Sequence, residues 1–299
     1  DQKVIKSGAF SAIPVFAIPS ETIEMKGNFT GGVDIKGGKF YQEQDLMDEY
    51  KGQVYKDIKA LWKWYSDNVN DSNRDSIEKV VDERMEPLQK KYAADLLAYA
   101  KQHSDQECIA LLIDELDDVK DKETLISLMA DNVKNGRMKA YYEPIFERAK
   151  KRAEMEEKAK VVQASGVEAP DFTLNDINGK PFSLSSLRGK YVVIDFWGSW
   201  CIWCIKGMPK MKEYYEKYKG KFEILGVDCN DTEAKWKAAV EKHQLPWIHV
   251  YNPKGSDVLD KYAVQGFPTK IVIGPDGKIV KTIVGEDPAF YTLLDEVLK

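Results

Sequence analysis

The sequence predicts an α/β protein: a C-terminal α/β domain with a mixed sheet, preceded by a mostly α-helical module and a short β-rich segment. Three observations lead there. Apolar residues recur at spacings of three and four from about residue 41 to 160. After Ala164-Ser165-Gly166 the pattern changes to alternating strand-like and helix-like stretches. Before residue 40, short apolar runs are cut by Pro14, Pro19, Gly27, Gly31-Gly32 and Gly37-Gly38. The expected divisions are 1–40, 41–163 and 164–299.

In the first division, Val15–Ile18, Thr22–Met25 and Val33–Ile35 are the strand candidates. Such a segment is too small to be a stable domain by itself. In the second, Leu46, Tyr50, Val54, Ile58, Leu61, Tyr65 and Val69 form one amphipathic stripe. Ile77, Val81, Met85, Leu88, Tyr92, Leu96 and Tyr99 form another, with Pro87 inside it as a possible kink point. Shorter helices are expected near 105–117 and 121–132, with Asp105 and Asp121 as N-caps. Trp62, Trp64, Tyr65 and Tyr141-Tyr142 at helical spacing are read as core rather than as a binding site. From Lys139 to Lys160 the charge is dense and of both signs, which suits a solvated connecting helix.

The third division has the richest pattern. Phe172–Leu174 and Pro181–Leu184 flank Asn178-Gly179, a hairpin signal. Then follow a strand at 191–197, a helix at 201–219, a strand at 222–227, a helix at 231–244 and a strand at 247–251. A short helix near 257–262, strands at 269–273 and 279–284 and a last helix at 287–298 complete it.

Bulk properties narrow the function. Hydrophobic and charged contents of 43% and 31% are those of an ordinary soluble globular protein. A net charge of −5 gives no reason to expect nucleic acid as a partner. No apolar run approaches the roughly 18–20 residues that span a bilayer. The first residues do not read as a signal peptide; a trimmed, exported chain would look the same. Four cysteines, Cys108, Cys201, Cys204 and Cys229, are too few for a disulfide-stapled scaffold. Cys108 and Cys229 lie in apolar stretches and read as buried structural thiols.

Cys201-Ile202-Trp203-Cys204 carries the chemistry. An apolar strand run ends, two cysteines follow at CxxC spacing, and a helix begins at once. Two thiols one helical turn apart can close a disulfide with little backbone movement, and a helix N-terminus stabilises the first as thiolate. That arrangement suits reversible thiol–disulfide exchange. A zinc site would need two more Cys or His ligands at matching spacing. His103, His243 and His249 form no second pair, so no metal is expected.

The run Asp195-Phe196-Trp197-Gly198-Ser199-Trp200-Cys201-Ile202-Trp203-Cys204, with Pro209 and the downstream Gly266-Phe267-Pro268-Thr269, resembles the thioredoxin-fold family. The lead-in Ala169-Pro170-Asp171-Phe172-Thr173-Leu174, then Gly179-Lys180 and Leu187-Arg188-Gly189-Lys190, resembles its TlpA/ResA branch of envelope-associated bacterial thiol–disulfide oxidoreductases. The likeness covers about residues 165–299. It implies Cys201 as the exposed attacking thiolate, Cys204 as the buried resolving thiol and Asp195 as the buried acid beneath them. Burial raises a carboxyl pKa and so fits it to exchange a proton near neutral pH. Pro268 matches a cis-proline facing the dithiol, with the Phe267 backbone pairing an extended substrate segment. Trp197, Trp200 and Trp203 would frame the site, and Trp200, Ile202 and Trp203 would touch substrate.

The resemblance further implies no cofactor beyond the Cys201–Cys204 couple, protein thiols or disulfides as substrates, a membrane-bound or soluble electron donor, and residence in the periplasm or cell envelope ahead of the cytoplasm. The chain also departs from the branch. A glutamate is common there three residues after the second cysteine, where this chain has Gly207, and asparagine where it has Asp195. Proton transfer is therefore expected to follow the thioredoxin pattern. Ile202-Trp203 donates no extra hydrogen bond to the thiolate, which favours a reductant within a range of potentials of about −270 to −120 mV. An isomerase or oxidase is the nearest alternative. A binding or assembly protein using the helical module is another. A peroxidatic site needs proline seven and threonine or serine three residues before the reactive cysteine; Ile194 and Gly198 stand there. A copper chaperone would space its cysteines by three and add a histidine.

Overall fold

A computed structural model describes residues 2–7, 11–19, 21–28, 32–70 and 72–299. Gly31, one of the expected breaks, lies outside them. The chain divides into two compact units, Asp1–Lys150 and Lys151–Lys299.

The first unit opens with two small antiparallel hairpins: β1 (Gln2–Ser7) with β2 (Ser11–Phe16), and β3 (Glu24–Asn28) with β4 (Gly32–Lys36). Helices α1 (Lys39–Val54), α2 (Lys56–Asn68) and α3 (Arg74–Gln102) follow. The first sequence stripe is thus broken at Tyr55, because α1 packs on the 3-10 segment Glu107–Asp114 and α2 packs on α3. Leu46 consequently points to solvent. Pro87 sits inside α3 without ending it. Helices α4 (Val119–Leu128), α5 (Asp131–Lys134) and α6 (Lys139–Val162) come next. The cap of α4 is Asp118, whose carboxylate accepts from Lys120 N; the expected Asp121 falls in the first turn, and Asp105 precedes Gln106, the residue that leads into the 3-10 segment. The unit's core gathers Phe40, Tyr41, Met47, Leu96, Ile113 and Tyr142 around the buried Cys108. Trp64 and Tyr65 pack on the α2–α3 contact, but Trp62 is half exposed. Charge pairs four apart, Lys139–Glu143 and Arg152–Glu156, run along α6.

The second unit is built on one seven-stranded sheet. Its strands are β5 (Thr173–Asp176), β6 (Pro181–Ser183), β7 (Tyr191–Trp197), β8 (Phe222–Asp228), β9 (Ile248–Tyr251), β10 (Thr269–Ile273) and β11 (Ile279–Val284). Their order is β11-β10-β7-β8-β9-β5-β6. Strands β7, β8 and β9 are parallel, and the edges join antiparallel. The β5–β6 turn is held by the Asp176 carboxylate, which accepts from Asn178 N and Lys180 N, both at 2.8 Å, while Gly179 supplies the positive φ of 77°.

Helices α7 (Ile202–Lys217), α8 (Glu233–His243), α9 (Val258–Lys261) and α10 (Ala289–Val297) complete the unit. β7 is central and covered on both faces, which explains its nearly continuous apolar run. Val193 and Trp197 join one core with Met208, Tyr214, Phe290 and Leu294. Ile194 and Phe196 join the other with Leu225, Val227, Tyr262 and Ile271. Among the described residues, no helix is long and apolar enough to cross a membrane.

Candidate functional site

β7 ends at Trp197, and the next four residues turn the chain into α7. Gly198 is required in that turn. A Cβ there would stand 2.5 Å from Trp200 Nε1 and 2.8 Å from the Cys229 carbonyl oxygen. Ser199 is held by Asp231, whose carboxylate accepts from its N–H at 2.6 Å and its hydroxyl at 2.8 Å. Trp200 Nε1 donates to the Cys229 carbonyl at 3.0 Å. Both anchors come from the segment after β8, so the loop that presents the dithiol is fixed by its neighbour in the sheet.

Cys201 and Cys204 form a disulfide with Cα atoms 5.3 Å apart. Cys201 is the N-cap of α7, and its Sγ accepts from Cys204 N at 3.2 Å. Negative charge on that sulfur therefore faces the free N–H groups of the helix. The expected exposure of Cys201 is not met: it is 5% exposed, close to the 4% of Cys204. The sulfur is tied to Cys204, and the pair packs into the same cluster as Met208 and Phe267. Exposure belongs instead to the neighbours. Ile202 is 63% and Trp203 58% exposed, and Lys206 Nζ stands 4.3 Å from the Trp203 ring centroid. Trp200 also faces solvent and meets the Phe267 ring edge-on. Trp197 lies on the buried side of the site, in the cluster that also holds Cys201 and Cys204. As the last residue of β7 it points inward and packs against His249.

The Phe267–Pro268 peptide is cis. Thr269 follows, fixed by a hydroxyl bond to the Gly266 carbonyl at 2.8 Å, and its strand partner Val284 adds an exposed apolar side chain beside this segment. Asp195 lies on the same face of β7 as Val193 and Trp197, the face that α7 covers. It is buried, and its Oδ1 meets no hydrogen-bond donor among the described residues. Burial pushes its carboxyl up to about 6, Lys270 draws it down and Glu286 pushes it up again.

Lys270 and Glu286 did not stand out in the sequence. Lys270 stands immediately before the apolar run Ile271-Val272-Ile273 and is paired in register with Asp195. Its ammonium meets Glu286 Oε2 at 2.8 Å. The Glu286 carboxylate fills the space over Gly207, so an acid does occupy that part of the site, brought from the loop after β11. The signal available was the lone charged residue, Lys270, in a strand that is otherwise uncharged. Among the described residues no group of His, Cys, Asp or Glu side chains could hold a metal ion.

A family model described as the AhpC/TSA family matches residues 165–282. The chain is similar to the thiol-disulfide oxidoreductase ResA of a Bacillus cereus strain, 43% identical over 122 residues that cover 40% of this chain and 70% of that protein. It is also similar to ResA of Bacillus subtilis (strain 168), 36% identical over 123 residues, 41% of this chain and 68% of that protein. Among solved structures, the thioredoxin domain of a thiol-disulfide oxidoreductase from Bacteroides vulgatus is 35% identical with a TM-score of 0.43, covering 46% of this chain and 99% of that one.

Proposed function

This chain belongs to the family of the ResA thiol–disulfide oxidoreductases, and on that premise we propose that it reduces disulfides of protein substrates in the cell envelope through Cys201 and Cys204. Residues 164–299 carry this activity. The observation that carries the reading is the placement of Cys201 as the N-cap of α7, its sulfur accepting from Cys204 N, on the sheet face that also holds the buried Asp195.

In the reducing direction, the Cys201 thiolate attacks one sulfur of a substrate disulfide. A mixed disulfide forms and the first substrate sulfur leaves as thiolate. Cys204 then loses its proton to the Asp195 carboxylate and attacks the Cys201 sulfur. The Cys201–Cys204 disulfide forms and the second substrate thiolate leaves. Two electrons have passed from the dithiol to the substrate, and a thiol donor must restore them. Trp200, Ile202 and Trp203 supply apolar contact area, and the Phe267–Pro268 segment pairs with the extended substrate backbone.

The test is the equilibrium reduction potential of the Cys201–Cys204 pair in a dithiothreitol or glutathione series. A value near about −270 mV supports a reductant. A value between about −180 and −120 mV replaces it by an isomerase or oxidase. A pair that cannot be cycled overturns the enzymatic assignment of these residues.

A further inference from the structure

Three charged side chains converge beneath α7. Asp195 and Lys270 are directly opposed on neighbouring antiparallel strands, so their side chains leave the sheet on one face. Lys270 is 1% exposed. An ammonium buried this far costs several kcal/mol unless it is paired, and its hydrogen-bond partner is Glu286 at 2.8 Å. Glu286 is fixed in turn. Its Oε1 accepts from the Tyr291 hydroxyl at 2.9 Å, and that hydroxyl lies 3.4 Å from the Gly207 carbonyl oxygen.

Gly207 makes room for this. A Cβ at 207 would stand 2.3 Å from Glu286 Oε2, 2.5 Å from its Cδ and 2.7 Å from its Oε1. Glycine inside a helix costs about 1 kcal/mol relative to alanine, yet here any side chain would take the place of the carboxylate. The geometry also separates two roles. With Glu286 on Lys270, the Asp195 Oδ1 is left without a donor among the described residues. A lysine facing Asp195 alone would hold that carboxyl ionised.

We propose that Lys270 and Glu286, admitted by Gly207, are positioning residues that set the proton affinity of Asp195: Glu286 neutralises Lys270, and Asp195 keeps the freedom to hold and release a proton. This rests on the reading of Asp195 as the proton partner of Cys204. The other titratable or charged groups around it are Cys201 and Cys204 from α7, Tyr291 from α10, Lys210 over the Tyr291 ring at 4.7 Å, Cys229 beyond β8, and His249 of β9, in register with Asp195 across Gly226 and held neutral because burial pushes its imidazole down to about 3. Burial pushes Tyr291 and Cys229 well up, so both stay neutral while Asp195 titrates.

The experiment is a carbon-13 NMR titration of the Asp195 carboxyl in the full, oxidised chain, where Cys201 and Cys204 do not titrate. E286Q leaves Lys270 uncompensated and is expected to lower the Asp195 midpoint by about one pH unit; K270M is expected to raise it by about as much. Midpoints within a few tenths of wild type in both variants overturn the proposal, as does a shift of both in one direction. Should K270M fail to fold, the isosteric E286Q decides alone. Wild-type turnover is assayed in parallel: absence of disulfide reduction removes the function assigned to Asp195, whereas the titration still shows whether Lys270 and Glu286 govern its charge.

Discussion

Trp200 and Phe267 meet edge to face with ring centroids 5.4 Å apart. One precedes Cys201 and the other precedes Pro268, so the contact ties the dithiol loop to the segment that would receive a substrate backbone. Edge-to-face pairs contribute about 0.5–1.5 kcal/mol beyond area burial. Trp200→Ala also removes the bond to the Cys229 carbonyl. We expect KM for a protein disulfide to rise about three- to tenfold with a smaller change in kcat. Steady-state kinetics with a disulfide-containing peptide check this; a KM equal to wild type removes Trp200 from the substrate surface.

Burial, with a smaller push from Glu286, outweighs Lys270 and raises the Asp195 carboxyl to about 6. Its carboxylate is the form that accepts the Cys204 proton, so resolution of the mixed disulfide should accelerate as pH rises through about 6. Asp195→Asn should slow that step about 10²-fold at pH 7 and abolish the inflection. Stopped-flow tryptophan fluorescence of the mixed-disulfide step reads it directly. A pH profile identical to wild type would show that the proton takes another route.

A Cβ at Gly198 would stand 2.8 Å from the backbone oxygen of Cys229 and 2.5 Å from the Trp200 indole nitrogen, which is itself bonded to that oxygen. Gly198→Ala should destabilise the oxidised protein by about 1–3 kcal/mol. Thermal unfolding of the variant measures it. An unchanged melting temperature would mean that the loop shifts freely, contrary to its anchoring by Asp231.

Asp228 at the end of β8 is fully buried, and burial together with the nearby Asp231 pushes its carboxyl up to about 8. The folded state therefore retains a proton that the unfolded chain releases near pH 4. Stability from this group is complete below pH 4 and drains away as pH rises to about 8. Asp228→Asn should raise the melting temperature at pH 8 relative to wild type and change it little at pH 4. An equal shift at both pH values would show that ionisation is not the cause.

The sequence made local features legible and left long-range ones hidden. The strand-CxxC-helix unit, the Asn178-Gly179 hairpin and the alternation from 191 to 298 all depend on near neighbours, and the fold follows them closely. The break at Tyr55 was not visible, because either side of it has the same periodicity and only the packing partner changes. The burial of Cys201 escaped for a similar reason: the cluster it joins is completed by residues distant in the chain, Phe267 and Phe290 among them. Gly207 read as the loss of an acid, while the carboxylate that takes the space enters from residue 286. Motifs within one helix carry no information about what a remote loop delivers to it.

The remaining two cysteines give the molecule a built-in chemical contrast. Cys108 and Cys229 are both buried, and burial pushes the Cys108 thiol up to about 12 and the Cys229 thiol further. Neither presents thiolate to solvent at neutral pH. A water-soluble alkylating reagent should therefore spare Cys108 and Cys229 after mild reduction of the native protein and label all four sulfurs once guanidinium is added. Mass spectrometry would count the adducts, so electron inventory at Cys201 and Cys204 can be followed in the wild-type chain without cysteine-free variants.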